Sequence, residues 1–189
     1  RRAAGCVGGG ALGAGGGSGV AGVVGLPAGR AGAFEACWRA NPAPCPRLDR
    51  TGPGAYEPSR GAPGADLRSD LPRYRVWHEG KVEREVSDAT PYWREDLVGF
   101  LLGCSFSAEA QLLAAGVPLR HMAQGRNVSM YRTSIQCRPV GRFRGPMVVS
   151  MRPLPAAMVP LATSVTAEVP LAHGAPVHVG DPAATGIAD

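Results

Sequence analysis

Val128-Ser129-Met130-Tyr131-Arg132-Thr133-Ser134-Ile135-Gln136-Cys137 and, further on, Met147-Val148-Val149-Ser150-Met151 are the stretches on which the fold turns. Both are rich in the β-branched and aromatic or apolar residues of pleated structure and predict strands. Before them, Ser107 is placed to cap a helix through Leu113, closed by Gly116 and Pro118. After them, Pro155 starts another helix whose length Pro160 limits, and Ala175–Val179 reads as a last short strand ahead of Gly180-Asp181-Pro182. Strands and helices thus alternate through this half. The expected fold is α/β or mixed α+β, a layered sheet with flanking helices.

Working outward, Thr90-Pro91 reads as a helix start, with Leu97, Phe100 and Leu101 as its apolar stripe and Gly103 as its end. Tyr74–Trp77 and Val82–Val86 alternate in polarity about Glu79-Gly80, which predicts a hairpin and with it a small inserted lobe. Pro42 to Gly64 is a Pro/Gly-rich connection. Arg30 to Ala40 predicts a helix with Phe34, Cys37 and Trp38 on one side, stopped at Asn41-Pro42. Val20 to Leu26 is compatible with a buried strand. Residues 1–19 are Gly/Ala-rich and lack any acid, so they are expected to form a disordered leader ahead of a domain over 20–189.

The chain has 189 residues and 44% hydrophobic composition, enough for one domain with a core; Gly 27 and Pro 18 predict many turns. Its net charge of +5 comes almost wholly from arginine, Lys81 being the lone lysine. The arginines alternate with acids, as in Asp66-Leu67-Arg68-Ser69-Asp70, rather than forming a basic face, which argues against nucleic acid as a partner. Five cysteines at irregular spacing, with no CxxC pair, fit a reducing compartment better than a disulfide framework. No apolar run reaches the roughly 18 residues of a membrane span.

Several blocks in order resemble one family. They are Asp66–Arg75, Gly103-Cys104-Ser105-Phe106-Ser107, Gly125-Arg126-Asn127-Val128 leading to Met130-Tyr131-Arg132-Thr133, Cys137-Arg138-Pro139, Gly145–Pro153 and His173–Pro182. On these the chain resembles the bacterial hydro-lyase family related to D-glutamate cyclase. The resemblance implies a lyase that adds or removes water. For the cyclase-like members that means closing D-glutamate to 5-oxo-D-proline, without a cofactor and in the cytoplasm (the mitochondrial matrix for a eukaryotic source). Family members continue past the position of Asp189, so the domain is expected to be incomplete at its C-terminal end.

Closing glutamate on itself requires that two carboxylates be held, a proton be taken from an ammonium group and a leaving hydroxyl be protonated. Arginine forks suit the first task, and Arg132, Arg138 and Arg152, each in a matched block, are the candidates; ion-paired surface arginines are the alternative. His178 is the expected acid–base group, with Asp181 either orienting it or capping a helix ahead of Pro182. His173 is a weaker candidate, and His78 is expected to be solvated. Cys104 and Ser105, in a turn between helices, could aim a thiol and a hydroxyl into a cleft, or Cys104 is a small buried cysteine. Tyr131 could donate a proton or belong to the core. Cys104, Cys137, His173 and His178 lack metal-ligand spacing. The expected partner is a small dicarboxylate or amino acid, with no nucleic acid and no membrane, in a chain compatible with a homo-oligomer. The alternative is a ligand-binding or interaction protein of the same fold without catalysis.

Overall fold

The computed structural model describes residues 7–10 and 20–187. The chain divides into two compact units, one of residues 1–36 and 47–104, the other of residues 37–46 and 105–189. Among the described residues every strand pairing is antiparallel, and the architecture is mixed α+β.

The first unit is built on a four-stranded sheet. Its strands are β1 (Val7–Gly10), β2 (Ala21–Pro27), β3 (Arg47–Arg50) and β6 (Leu97–Gly103), in the order β1-β2-β6-β3. Within the Gly/Ala-rich leader expected to be disordered, Val7–Gly10 is this edge strand; the rest of residues 1–19 lies outside the described residues. Helix α1 (Ala28–Ala40) follows β2 directly, and its first amide donates to Asp96 O at 2.7 Å.

Leu97–Gly103 corrects an expectation. The sequence reading made it the apolar stripe of a helix, whereas it is one of the two inner strands of the sheet. Only Thr90–Tyr92 is helical, as a 3-10 turn that ends where Trp93 becomes extended. Leu97, Val98, Phe100 and Leu101 are all buried. Consecutive burial of this kind belongs to a strand covered on both faces, and an unbroken apolar run carries no period to distinguish it from a helix. Gly99 has a specific reason: a Cβ there would lie 2.8 Å from Leu67 Cδ1. That absence of side chain lets Thr51 pair closely, its Oγ1 accepting from Gly99 N at 2.8 Å and its own amide donating to Gly99 O at 2.9 Å.

Val23, Leu67, Leu71, Tyr74, Ala89 and Leu101 form the core of this unit. Each large apolar side chain buried there stabilises the fold by about 2 kcal/mol. Tyr74 is fully buried, and its hydroxyl accepts the Leu71 amide at 2.9 Å, which removes the cost of burying it. The expected hairpin is present as β4 (Tyr74–His78) and β5 (Lys81–Val86). Its turn residues, Glu79 at φ 49 and Gly80 at φ 81, both take the left-handed region that a tight two-residue turn requires.

The second unit contains helices α2 (Glu109–Ala114) and α3 (Arg120–Ala123), the hairpin β7 (Ser129–Gln136) and β8 (Pro146–Met151), and helix α4 (Val159–Ala167). Leu112, Val117, Leu119 and Ala162 make its core, with Leu154 and Val165 packed on them. Both strands on which the fold reading turned are therefore present, paired with each other. Ser107 lies inside a 3-10 turn, Ser105–Ala108, rather than capping α2. Residues 175–179 are not a strand, and Pro176 withholds an amide that a ladder there would need.

Asn41 closes this unit on itself. Its side-chain amide donates to Arg138 O at 2.9 Å and accepts from Arg138 N at 2.8 Å. A second amide hydrogen donates to Cys37 O at 2.9 Å, so the buried carboxamide is saturated.

Candidate functional site

The second unit gathers a polar cluster about the end of β8. Arg152, the residue after β8, sends Nη2 to Glu109 Oε1 at 2.6 Å and Nη1 to Ser150 Oγ at 2.9 Å. Nη2 also lies 3.3 Å from Ser105 Oγ, which is 3.1 Å from Ser150 Oγ. The side chains of Arg152 and Glu109 are 15% and 12% exposed, so this is a nearly buried charge pair whose attraction is little weakened by water. Local structure explains the convergence. Ser105 and Glu109 stand one helical turn apart across the 3-10 turn and the start of α2, while Ser150 and Arg152 share one face of β8 and its exit.

His121, in α3, adds an imidazole. Its Nε2 lies 3.0 Å from Glu109 Oε1, at ion-pair distance, but off the hydrogen-bonding direction, so this buried nitrogen makes no hydrogen bond among the described residues. Oε1 instead accepts from Arg152, from Nη2 at 2.6 Å and from Nε at 3.3 Å. Glu109 and His121 were not singled out in the sequence. Glu109 could have been found from its spacing of four after Ser105; nothing local marks His121.

Of the residues the sequence singled out, Ser105 and Arg152 meet in this cluster. Arg132 lies on β7 opposite Val148, two residues beyond the Met130–Ser150 pair, so it shares the strand face of Ser150 and is exposed. Tyr131 points to the other face and is half-buried. Arg138 has an exposed side chain on a backbone fixed by Asn41. Cys104 closes the first unit, half-buried, just after β6.

His178 and Asp181 form a local arrangement of their own. His178 Nε2 lies 2.8 Å from Asp181 O, and the Asp181 carboxylate accepts the Ala183 amide at 2.9 Å, capping the turn Pro182–Thr185. Both are exposed, and among the described residues no hydrogen bond or ion pair links them to the Arg152 cluster. His173, in contrast, holds Nδ1 2.8 Å from Ala43 O, and its pKa is lowered, first by burial and then by the charge of Arg152.

The thiols of Cys45 and Cys137 are poor nucleophiles. Burial pushes Cys45 up to about 11, with Cys137 and Cys37 adding to the effect, and burial raises Cys137 as well. Among the described residues no group of three or more His, Cys, Asp or Glu is placed to hold a metal, and no helix is long and apolar enough to cross a membrane. An open apolar cleft of about 660 Å3, walled by Leu113, Pro118, Leu119, Met122, Pro153 and Leu154, lies in the same unit; none of the clustered polar side chains lines it.

Residues 98–189 match the family model described as D-glutamate cyclase. Over 149 residues, 79% of the chain, the protein is 60% identical to a "Putative hydro-lyase" of Stutzerimonas stutzeri and 59% identical to one of Nocardioides sp.. It is 57% identical over the same length to a "Putative hydro-lyase" of Saccharopolyspora erythraea. The matched stretch is 56%, 55% and 58% of those proteins, so the chain spans somewhat more than half the length of the curated relatives it matches. With the domain match and the relatives in agreement, the chain belongs to the bacterial hydro-lyase family related to D-glutamate cyclase.

Proposed function

We propose that the second unit carries the reaction centre of a hydro-lyase acting on a small amino or hydroxy dicarboxylate. The substrate we favour is D-glutamate, closed to 5-oxo-D-proline with loss of water. The observation that carries this reading is the Arg152–Glu109–Ser105–Ser150 cluster, with Arg132 exposed on the same strand face. Arg132 offers an unburied guanidinium to one carboxylate. The Ser105 and Ser150 hydroxyls, held by Arg152, can donate to the second carboxylate as its oxygen departs. Glu109 keeps Arg152 aimed. His178 and Asp181 stay in the proposal as an exposed acid–base pair outside the cluster.

The test is an NMR time course of the protein with D-glutamate. The reading expects 5-oxo-D-proline to accumulate, and Arg132→Ala to raise KM about tenfold or more with a smaller change in kcat, as loss of a carboxylate hydrogen-bond pair implies. Calorimetric binding of D-glutamate or 5-oxo-D-proline without turnover would point instead to a ligand-binding protein of this fold. The absence of both turnover and binding would overturn the assignment.

A further inference from the structure

His173 occupies a position that a glycine would fill more easily. It ends the 3-10 turn Pro170–Ala172 with φ 80, in the left-handed region, and Gly174 follows at φ 76. A β-carbon in that region costs on the order of 1 kcal/mol, and such costs persist where the side chain has a task. The turn packs against Ser105–Ala108, which brings the histidine to the side of the cluster that holds Ser105.

The imidazole is fixed in one tautomer. A carbonyl only accepts, so the 2.8 Å contact with Ala43 O requires the proton to sit on Nδ1. The neutral ring then presents a bare Nε2. This is the arrangement by which a backbone carbonyl sets which imidazole nitrogen acts as base. His178 is the opposite case, because its Nε2 is engaged by Asp181 O.

We propose that His173, through Nε2, is the proton acceptor of the reaction centre built on Arg152, Ser105 and Ser150. The inference rests on the function proposed above and names a base for it. The substrate ammonium gives a proton to Nε2, and the freed nitrogen lone pair attacks the side-chain carboxylate carbon. As the new C–N bond forms and one C–O bond breaks, the departing oxygen takes that proton from the ring and a second from the attacking nitrogen, and leaves as water. No electrons change hands and no co-reactant is needed.

The electrostatics agree. Burial favours the neutral ring, the hydrogen bond to Ala43 opposes it, and the Arg152 charge favours it, with the balance toward neutrality. The elements packed on the turn, Ser105–Ala108 and α4, carry no charged residue, and the Cys45 thiol beside Ala43 is held neutral by burial.

The experiment is His173→Gly with and without added imidazole. Glycine suits φ 80, so the variant keeps its fold. Expected are a fall in kcat of about 100-fold or more, a KM within about threefold of the parent, and recovery with free imidazole in proportion to its concentration. Activity within threefold of the parent, or a loss that imidazole does not restore, overturns the assignment. If the parent protein converts no D-glutamate, the function reading has failed on its own account. His173 is then decided by the 15N shifts of its ring at neutral pH. A proton on Nδ1 with Nε2 bare upholds the tautomer on which the inference stands, and a proton on Nε2 overturns it.

Discussion

Asp49 in the first unit and Glu109 in the second are both buried carboxylates, yet they are satisfied by different kinds of partner. Asp49 accepts three backbone amides, from Arg50 at 2.7 Å, Arg60 at 2.7 Å and Gly61 at 3.1 Å. Glu109 is met by side chains, the guanidinium of Arg152 and the imidazole of His121. Backbone donors cannot turn away, so Asp49 is a structural pin that stitches β3 to the loop after it. Side-chain donors can exchange partners when a ligand arrives, and an ionised pair can re-form around a substrate. A buried acid whose partners are themselves ionisable and able to rotate is where chemistry is to be sought.

The largest effect should come from Glu109→Ala. Removing one partner of a nearly buried pair leaves Arg152 uncompensated, at a cost of about 4 kcal/mol in denaturant unfolding. Replacing both, as Glu109→Leu with Arg152→Met, should return most of that loss while activity stays absent. A single substitution costing less than 1 kcal/mol would break the contrast.

Asp49→Ala comes next, at about 2 kcal/mol, for the amides left without an acceptor. This pin also has a pH signature. Burial alone would raise its pKa, but the hydrogen bonds from Arg60, Gly61 and Arg50 overcome that and lower it. Its stabilisation is therefore full above the ordinary aspartate value of about 3.9 and is lost as pH falls through the lower folded-state value. Asp49→Asn should flatten the acid limb of stability, measured by thermal unfolding between pH 2 and 5; an unchanged limb would remove Asp49 from that role.

The smallest effect is expected at Gly80→Ala, about 1 kcal/mol, in a hairpin that belongs to neither carboxylate. The substitution is strained by φ 81, although open space surrounds the missing Cβ. If it costs as much as Asp49→Ala, backbone strain rather than hydrogen-bond loss sets the scale of the comparison.

These contrasts follow what the sequence could and could not disclose. The β4–β5 hairpin was legible because Glu79-Gly80 supplies the turn chemistry and its flanks alternate. Helix α1 was legible because Asn41-Pro42 marks its stop. Strand β6 was not, since Leu97–Gly103 is apolar without a period and Thr90-Pro91 ahead of it mimics a helix start. Ser105 and Arg152 entered through the family blocks. Glu109 and His121 could not, because what joins them to Arg152 is tertiary: 43 residues separate Glu109 from Arg152, and no local rule spans that distance. Asp181 shows the reverse, a residue open to two readings whose carboxylate is seen capping the next turn.

The reciprocal bonds between Asn41 and Arg138 also set a timetable. The partners are 97 residues apart, and the first segment of the second unit, 37–46, precedes most of the first unit in the chain. During synthesis at about 5–20 residues per second, Asn41 must wait roughly 5 to 20 s before Arg138 exists. About two-thirds of the way through that interval the first unit is made through Cys104, and it can close its own sheet while the rest of the chain to Arg138 is added. The second unit, with the residues proposed to carry the reaction, is thus assembled last, from a segment held in reserve and a stretch of chain that arrives after its neighbour is complete.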